Sequence, residues 1–96
     1  MRRRTRTQSA GGWHFYSRTK VSEAILSDYK DFIRSLPAEK RIATGDVSFF
    51  EDDSGQHAVS IELFAGRNHS RLYAIFYDQR DRRLRVTKYG YRKYSS

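Results

Sequence analysis

Cysteine is absent from this 96-residue chain. Disulfides, thiolate nucleophiles and cysteine-ligated zinc are therefore excluded. Apolar runs are short, and none approaches the roughly 20 residues that a membrane-spanning helix needs, so no membrane partner is expected. The basic N-terminus is not followed by an apolar stretch, so it does not read as a secretory signal. The expected compartment is cytoplasmic, with nucleoid or nucleus as variants. The three histidines, His14, His57 and His69, match no metal-ligand spacing. No Gly-rich phosphate loop is found, because Gly11-Gly12 lacks the strand-then-helix context. No metal, no cofactor and no catalytic residue is expected from these features, and the chain reads as a binding protein before an enzyme.

Acidic residues are scarce at both ends. Residues 1–20 carry six bases and no acid, residues 21–66 carry a net −5, and residues 67–96 carry a net +7, for +8 in all. Two basic blocks flanking an acidic middle argue for a polyanionic partner, either DNA or RNA. Hydrophobic residues make up 38% and aromatics 15%, too aromatic a composition for a disordered chain. The length allows one domain at most.

Residues 1–12 read as a flexible basic arm, with Arg2, Arg3, Arg4 and Arg6 placed to track phosphates, and residues 13–96 as a single domain. Trp13 to Tyr16 read as a first strand or a cover over the core. Ser22 is a plausible helix N-cap, followed by Glu23 at the positive helix start. Ile25, Leu26, Tyr29, Phe32, Ile33 and Leu36 recur with the 3.6-residue period and predict a core-facing stripe. Pro37 ends the helix or opens a short second turn that Gly45 would close. Strands are predicted over Val47–Glu51, His57–Phe64, Arg71–Tyr77 and Arg83–Tyr89, joined by polar turns short enough to force antiparallel pairing. The expected fold is α+β: one amphipathic helix packed on a four- to five-stranded antiparallel sheet.

Alternation along a strand shows successive side chains to opposite faces. On this basis Leu72, Ala74, Phe76, Leu84 and Val86 are expected to meet the helix. Arg71, Tyr73, Ile75, Tyr77, Arg83, Arg85, Thr87, Tyr89 and Tyr91 are expected to face outward, extended by Lys88, Arg92, Lys93 and Tyr94. Aromatic rings interleaved with guanidinium groups suit nucleic acid, since rings stack on unpaired bases and cations neutralise phosphates. The leading expectation is a small nucleic-acid-binding protein that uses this face and the arm. Tyr and Arg pairs also stabilise ordinary sheets, so a second expectation is a protein-interaction module, such as a phage- or plasmid-type inhibitor of a host protein. Exposed strand edges would also admit a homodimer.

Arg71-Leu72-Tyr73-Ala74-Ile75-Phe76-Tyr77-Asp78, a polar turn, Leu84-Arg85-Val86 and then Lys88-Tyr89-Gly90-Tyr91-Arg92-Lys93-Tyr94 resemble the last hairpin of RelE/ParE-type bacterial toxins. The resemblance covers about the last 26 residues. It implies a metal-free ribonuclease acting on mRNA at the ribosome, with Arg71, Arg85, Arg92 and Tyr94 as the residues to suspect. The upstream part departs from that family's pattern, which has two substantial helices where this sequence has one clear helix.

Overall fold

The structure is a computed structural model that describes residues 12–40 and 43–94. The arm residues Arg2, Arg3, Arg4 and Arg6 lie outside the described residues. The elements run β1 (Trp13–Phe15), α1 (Glu23–Ser35), β2 (Ala43–Asp52), β3 (His57–Phe64), β4 (His69–Tyr77) and β5 (Arg83–Lys93), with short 3-10 turns at Arg18–Lys20 and Ala38–Lys40. The strands form one antiparallel sheet in chain order. Among the described residues no helix is long and apolar enough to cross a membrane.

Local chemistry explains the boundaries. The Ser22 hydroxyl accepts from the Ile25 backbone N–H at 3.2 Å, which satisfies one of the free donors at the start of α1. The helix stops at Leu36, held extended (φ −75°, ψ 147°) as the residue before Pro37 must be. In the β2–β3 turn the Asp52 carboxylate accepts from the backbone of Ser54 and Gln56, both at 2.9 Å, while Gly55 supplies φ 89°. In the β4–β5 turn Asp78 accepts from the backbone of Arg80 and Arg82 at 2.8 and 3.0 Å. Those bonds hold the Asp78 carboxyl below its ordinary range, the Arg82 N–H contributing most.

The helix lies on one face of the sheet. Ile25, Tyr29 and Phe32, at i, i+4 and i+7, are buried against Phe49, Val59, Ile61, Leu63, Ile75 and Tyr77. Leu26, Ile33 and Leu36 pack beside them. The expected stripe is thus the core stripe, and the expected Val59, Ile61, Leu63 alternation is the inward one, all three at 0% exposure.

Several expectations change. Leu84, expected to meet the helix, is 51% exposed, and β2 begins at Ala43, ahead of the predicted Val47. Gly45 lies inside β2 and does not close a turn. A Cβ there would sit 2.8 Å from the Phe64 ring and 2.9 Å from Glu62 Oε1, so two β3 side chains fold over the space it leaves. The last strand runs to Lys93, beyond the predicted Tyr89. Most important for function, the phase of β4 is inverted. Tyr73, Ile75 and Tyr77 face the helix, and Leu72, Ala74 and Phe76 face away from it. The pairing explains this: Ile61 opposes Tyr73 and Val59 opposes Ile75, so residues opposite the buried set of β3 are themselves buried. Tyr77 is fully buried, its hydroxyl donating to Asp28 at 2.7 Å. Burial and that bond push its phenol well above the usual tyrosine range.

Candidate nucleic-acid interface

The outward Tyr/Arg face expected from alternation is divided between the two sides of the sheet. Tyr73 contacts Phe32 of the helix, ring centroids 5.6 Å apart. Arg83 forms a bidentate pair with Asp28 at 2.9 and 3.1 Å and lies over the Phe32 ring. Arg71 is half-buried, between Leu63 and Tyr91 in the register. Tyr91 packs on His69 and is 57% exposed, and Lys93 opposes His69. All of these lie on the helix side, together with Tyr77. Register shifts at Phe76/Tyr77 and Leu72/Tyr73 reset the alternation of β5. They leave Arg85, Tyr89 and Arg92 as the expected residues on the opposite, uncovered face.

That uncovered face carries its own aromatic set. Trp13 leans from the β1 edge over β2 and β3 to meet Phe76 of β4, ring centroids 5.9 Å apart. The Arg85 guanidinium carbon sits 4.1 Å over the other wall residue, Phe76, a cation–π contact that leaves Arg85 as a cation on the rim. Phe15 stacks beside Phe50 at 4.8 Å and is 61% exposed. On the other side Tyr89 leans from β5 across β4, its hydroxyl 2.6 Å from Ser60 Oγ. Between these rings the side chains are small. Ser48, Ser60, Ala74 and Thr87 oppose one another across four strands in one transverse row. Large rings flanking short side chains make a trough of about 320 Å³, lined by Trp13, Phe50, Ala58, Ala74, Phe76 and Tyr89 among others.

Elsewhere on this face Tyr94 and Arg92 converge on Glu62. Glu62, 5% exposed, is the anchor. Its carboxylate accepts from the Tyr94 hydroxyl and from Ser70 Oγ at 2.7 Å, and Arg92 Nη1 stands 3.6 Å away. The Tyr94 ring also rests on Phe64, and its backbone N–H bonds the Asn68 carbonyl. The Tyr94 and Ser70 hydroxyls, with the Asp46 backbone N–H and Arg92, hold the Glu62 carboxyl below its ordinary range against the opposing cost of burial.

Of the residues that the toxin resemblance singles out, Arg92 and Tyr94 therefore meet at Glu62, while Arg71 and Arg85 stand on opposite sides of the sheet. His57 sits between Glu51 and Asp81 at 3.3 and 3.5 Å, with its ring against Tyr16. Among the described residues no group of His, Asp and Glu side chains converges in a way that could hold a metal ion.

Sequence reasoning missed Trp13, Phe50, Phe76, Ser60 and Glu62 as site residues. A signal for Phe76 was present. With β3 known to point Val59, Ile61 and Leu63 inward, a tight turn at residues 65–69 sets Ile75 opposite Val59 and turns Phe76 outward. No protein-family model, no curated protein and no solved structure matches this chain. What the fold and the surface define is a single helix backing an antiparallel meander whose other face is an open aromatic trough with a basic rim.

Proposed function

We propose that this protein binds nucleic acid on the uncovered face of its sheet. The single observation that carries the reading is the combination of rings and a cation there: the half-buried Trp13, Phe50 and Phe76 and the exposed Tyr89 line the trough, and Arg85 stacks on its wall. Rings of this kind stack on bases without regard to sequence, and guanidinium groups neutralise phosphates. The neighbouring strand strengthens the reading, because β5 contains Arg83, Arg85, Lys88, Arg92 and Lys93 and no acid. Of these, Arg83 is spent on Asp28 and Arg92 leans on Glu62, while Lys88 opposes Tyr73 on the helix side, so Arg85 is the β5 cation available on this face with least loss.

The test is fluorescence anisotropy with labelled DNA and RNA, single- and double-stranded, over a range of salt. Affinity should fall linearly on a log–log plot, with a slope set by the number of phosphates contacted. Arg85→Ala should weaken binding and flatten the slope by about one ion's worth. Absence of salt-sensitive binding to all four ligands at low salt would overturn the proposal.

A second reading rests on the edge of the sheet. Among the described residues no strand pairs with the outer side of β5, and such an edge can accept an extended segment of another protein. Five like charges on one strand disfavour pairing of β5 with a second copy of itself. A nuclease-treated pull-down that recovers one stoichiometric protein, lost on Thr87→Pro, would favour this reading.

A further inference from the structure

We infer that the trough takes an unpaired strand, with its bases lying across the sheet and perpendicular to the β-strands, and that it rejects duplex. The inference rests on the nucleic-acid reading and specifies the ligand of that same surface. The geometry is directional. The trough floor runs from Ser60 of β3 through Ala74 to Thr87 of β5. Two interstrand gaps of about 4.8 Å make that run about 10 Å long, room for about three nucleotides at a stacked spacing of about 3.4 Å. The walls are ring systems, Trp13 with Phe76 on one side and Tyr89 on the other. Such walls gain by contact with a base face, and in a duplex both faces of every interior base are already stacked on neighbours.

Charge orients the strand. The β5 end of the trough carries Arg85 on its rim, and Glu62 is buried beneath Tyr94 and paired with Ser70 and Arg92. A phosphate chain therefore meets a cation at that end. The Ser60–Tyr89 hydroxyl pair, 2.6 Å apart, is the polar spot at the centre and offers hydrogen bonds to a base edge.

Trp13 is the sole tryptophan of the chain and stands in the trough wall, so its emission reports occupancy directly. Oligothymidylates of two to twelve residues and a 12-base-pair duplex are titrated at low salt into the full chain. Two variants fill the floor: Thr87→Phe, at an exposed position on the edge strand, and Ala74→Phe. Circular dichroism melts verify that each is folded.

Single strands should quench Trp13 with affinity rising steeply up to about three residues and slowly beyond. Duplex should quench at least 10-fold more weakly. Each filled variant should lose at least 10-fold in single-strand affinity, while its salt-sensitive anisotropy signal with duplex is retained. Equal quenching by duplex, or wild-type affinity in both folded variants, would overturn the inference and leave general nucleic-acid binding standing. Failure of every oligonucleotide to bind by either readout would overturn the nucleic-acid reading with it. A Trp13 change that depends on protein concentration alone, with a doubled mass in sedimentation, would assign the trough to a contact between two copies and likewise overturn the inference.

Discussion

Glu62→Gln removes one charge from the underside of the C-terminal tail, and its cost follows from the bonds that converge there. The wild-type carboxylate accepts from two hydroxyls, those of Tyr94 and Ser70, and from the Asp46 backbone N–H, with Arg92 close by. Hydrogen bonds to a charged group contribute about 1.5–3 kcal/mol each. An amide keeps one acceptor oxygen and turns an NH2 group toward donors, so one of the strong bonds is lost and another is weakened. Glu62 is hidden by the Tyr94 and Arg92 side chains and not by the deep core, so solvent screening trims the total. The expected loss is about 2 kcal/mol at pH 7, or roughly 10 °C in melting temperature for a domain of this size.

The pH dependence identifies the cause. A carboxyl whose folded value lies below its unfolded value of 4.5 contributes fully above pH 4.5, and that contribution drains away as pH falls through the folded value. Urea unfolding of wild type and Glu62→Gln should therefore give a gap of about 2 kcal/mol at pH 7 that narrows steadily below pH 4.5. Other carboxyls titrate in both proteins and cancel in the difference. A gap that stays constant down to pH 3, or one under about 0.5 kcal/mol at pH 7, would refute the reasoning.

The phase of β4 has its own test. Ile75→Ala should cost about 3 kcal/mol as a core truncation, whereas Ala74→Ser, one position along and facing the trough, should cost under about 1 kcal/mol in the same urea assay. Comparable losses at both positions would contradict the inverted alternation. The Asp28 junction should be cooperative. Asp28→Ala strands the buried Tyr77 hydroxyl and frees Arg83, for about 2–3 kcal/mol, and Tyr77→Phe should cost about 1 kcal/mol. The double variant should cost less than the sum, because the shared bond is lost only once. Strict additivity would show that the Tyr77–Asp28 bond contributes nothing.

The one-helix, antiparallel plan was legible because it depends on local rules. The 3.6-residue recurrence from Ile25 to Leu36, the Ser22 cap and the Pro37 stop specify α1 with no reference to the rest of the chain. Asp52-Asp53-Ser54-Gly55 and Asp78 to Arg82 specify their turns through side chains that bond the local backbone. Turns that short leave only antiparallel pairing. β3 alternated cleanly, so its inward face was legible as well.

The functional face depended on tertiary structure. β4 is apolar or aromatic at nearly every position from Leu72 to Tyr77, and alternation cannot orient a strand whose two sides look alike. Reading tyrosine as an outward residue then selected the wrong side, because a phenol can be buried once its hydroxyl finds a partner, as Tyr77 does at Asp28. The bulges in β5 were invisible for a similar reason: a one-residue slip leaves no mark in composition, yet it moves Arg85 and Tyr89 to one side and Arg83 and Tyr91 to the other. The sequence by itself determined the elements, their order and the cationic surplus. Only the folded sheet decided which rings and guanidinium groups share a surface, because strand register and the side taken by the helix depend on contacts between residues far apart in the chain.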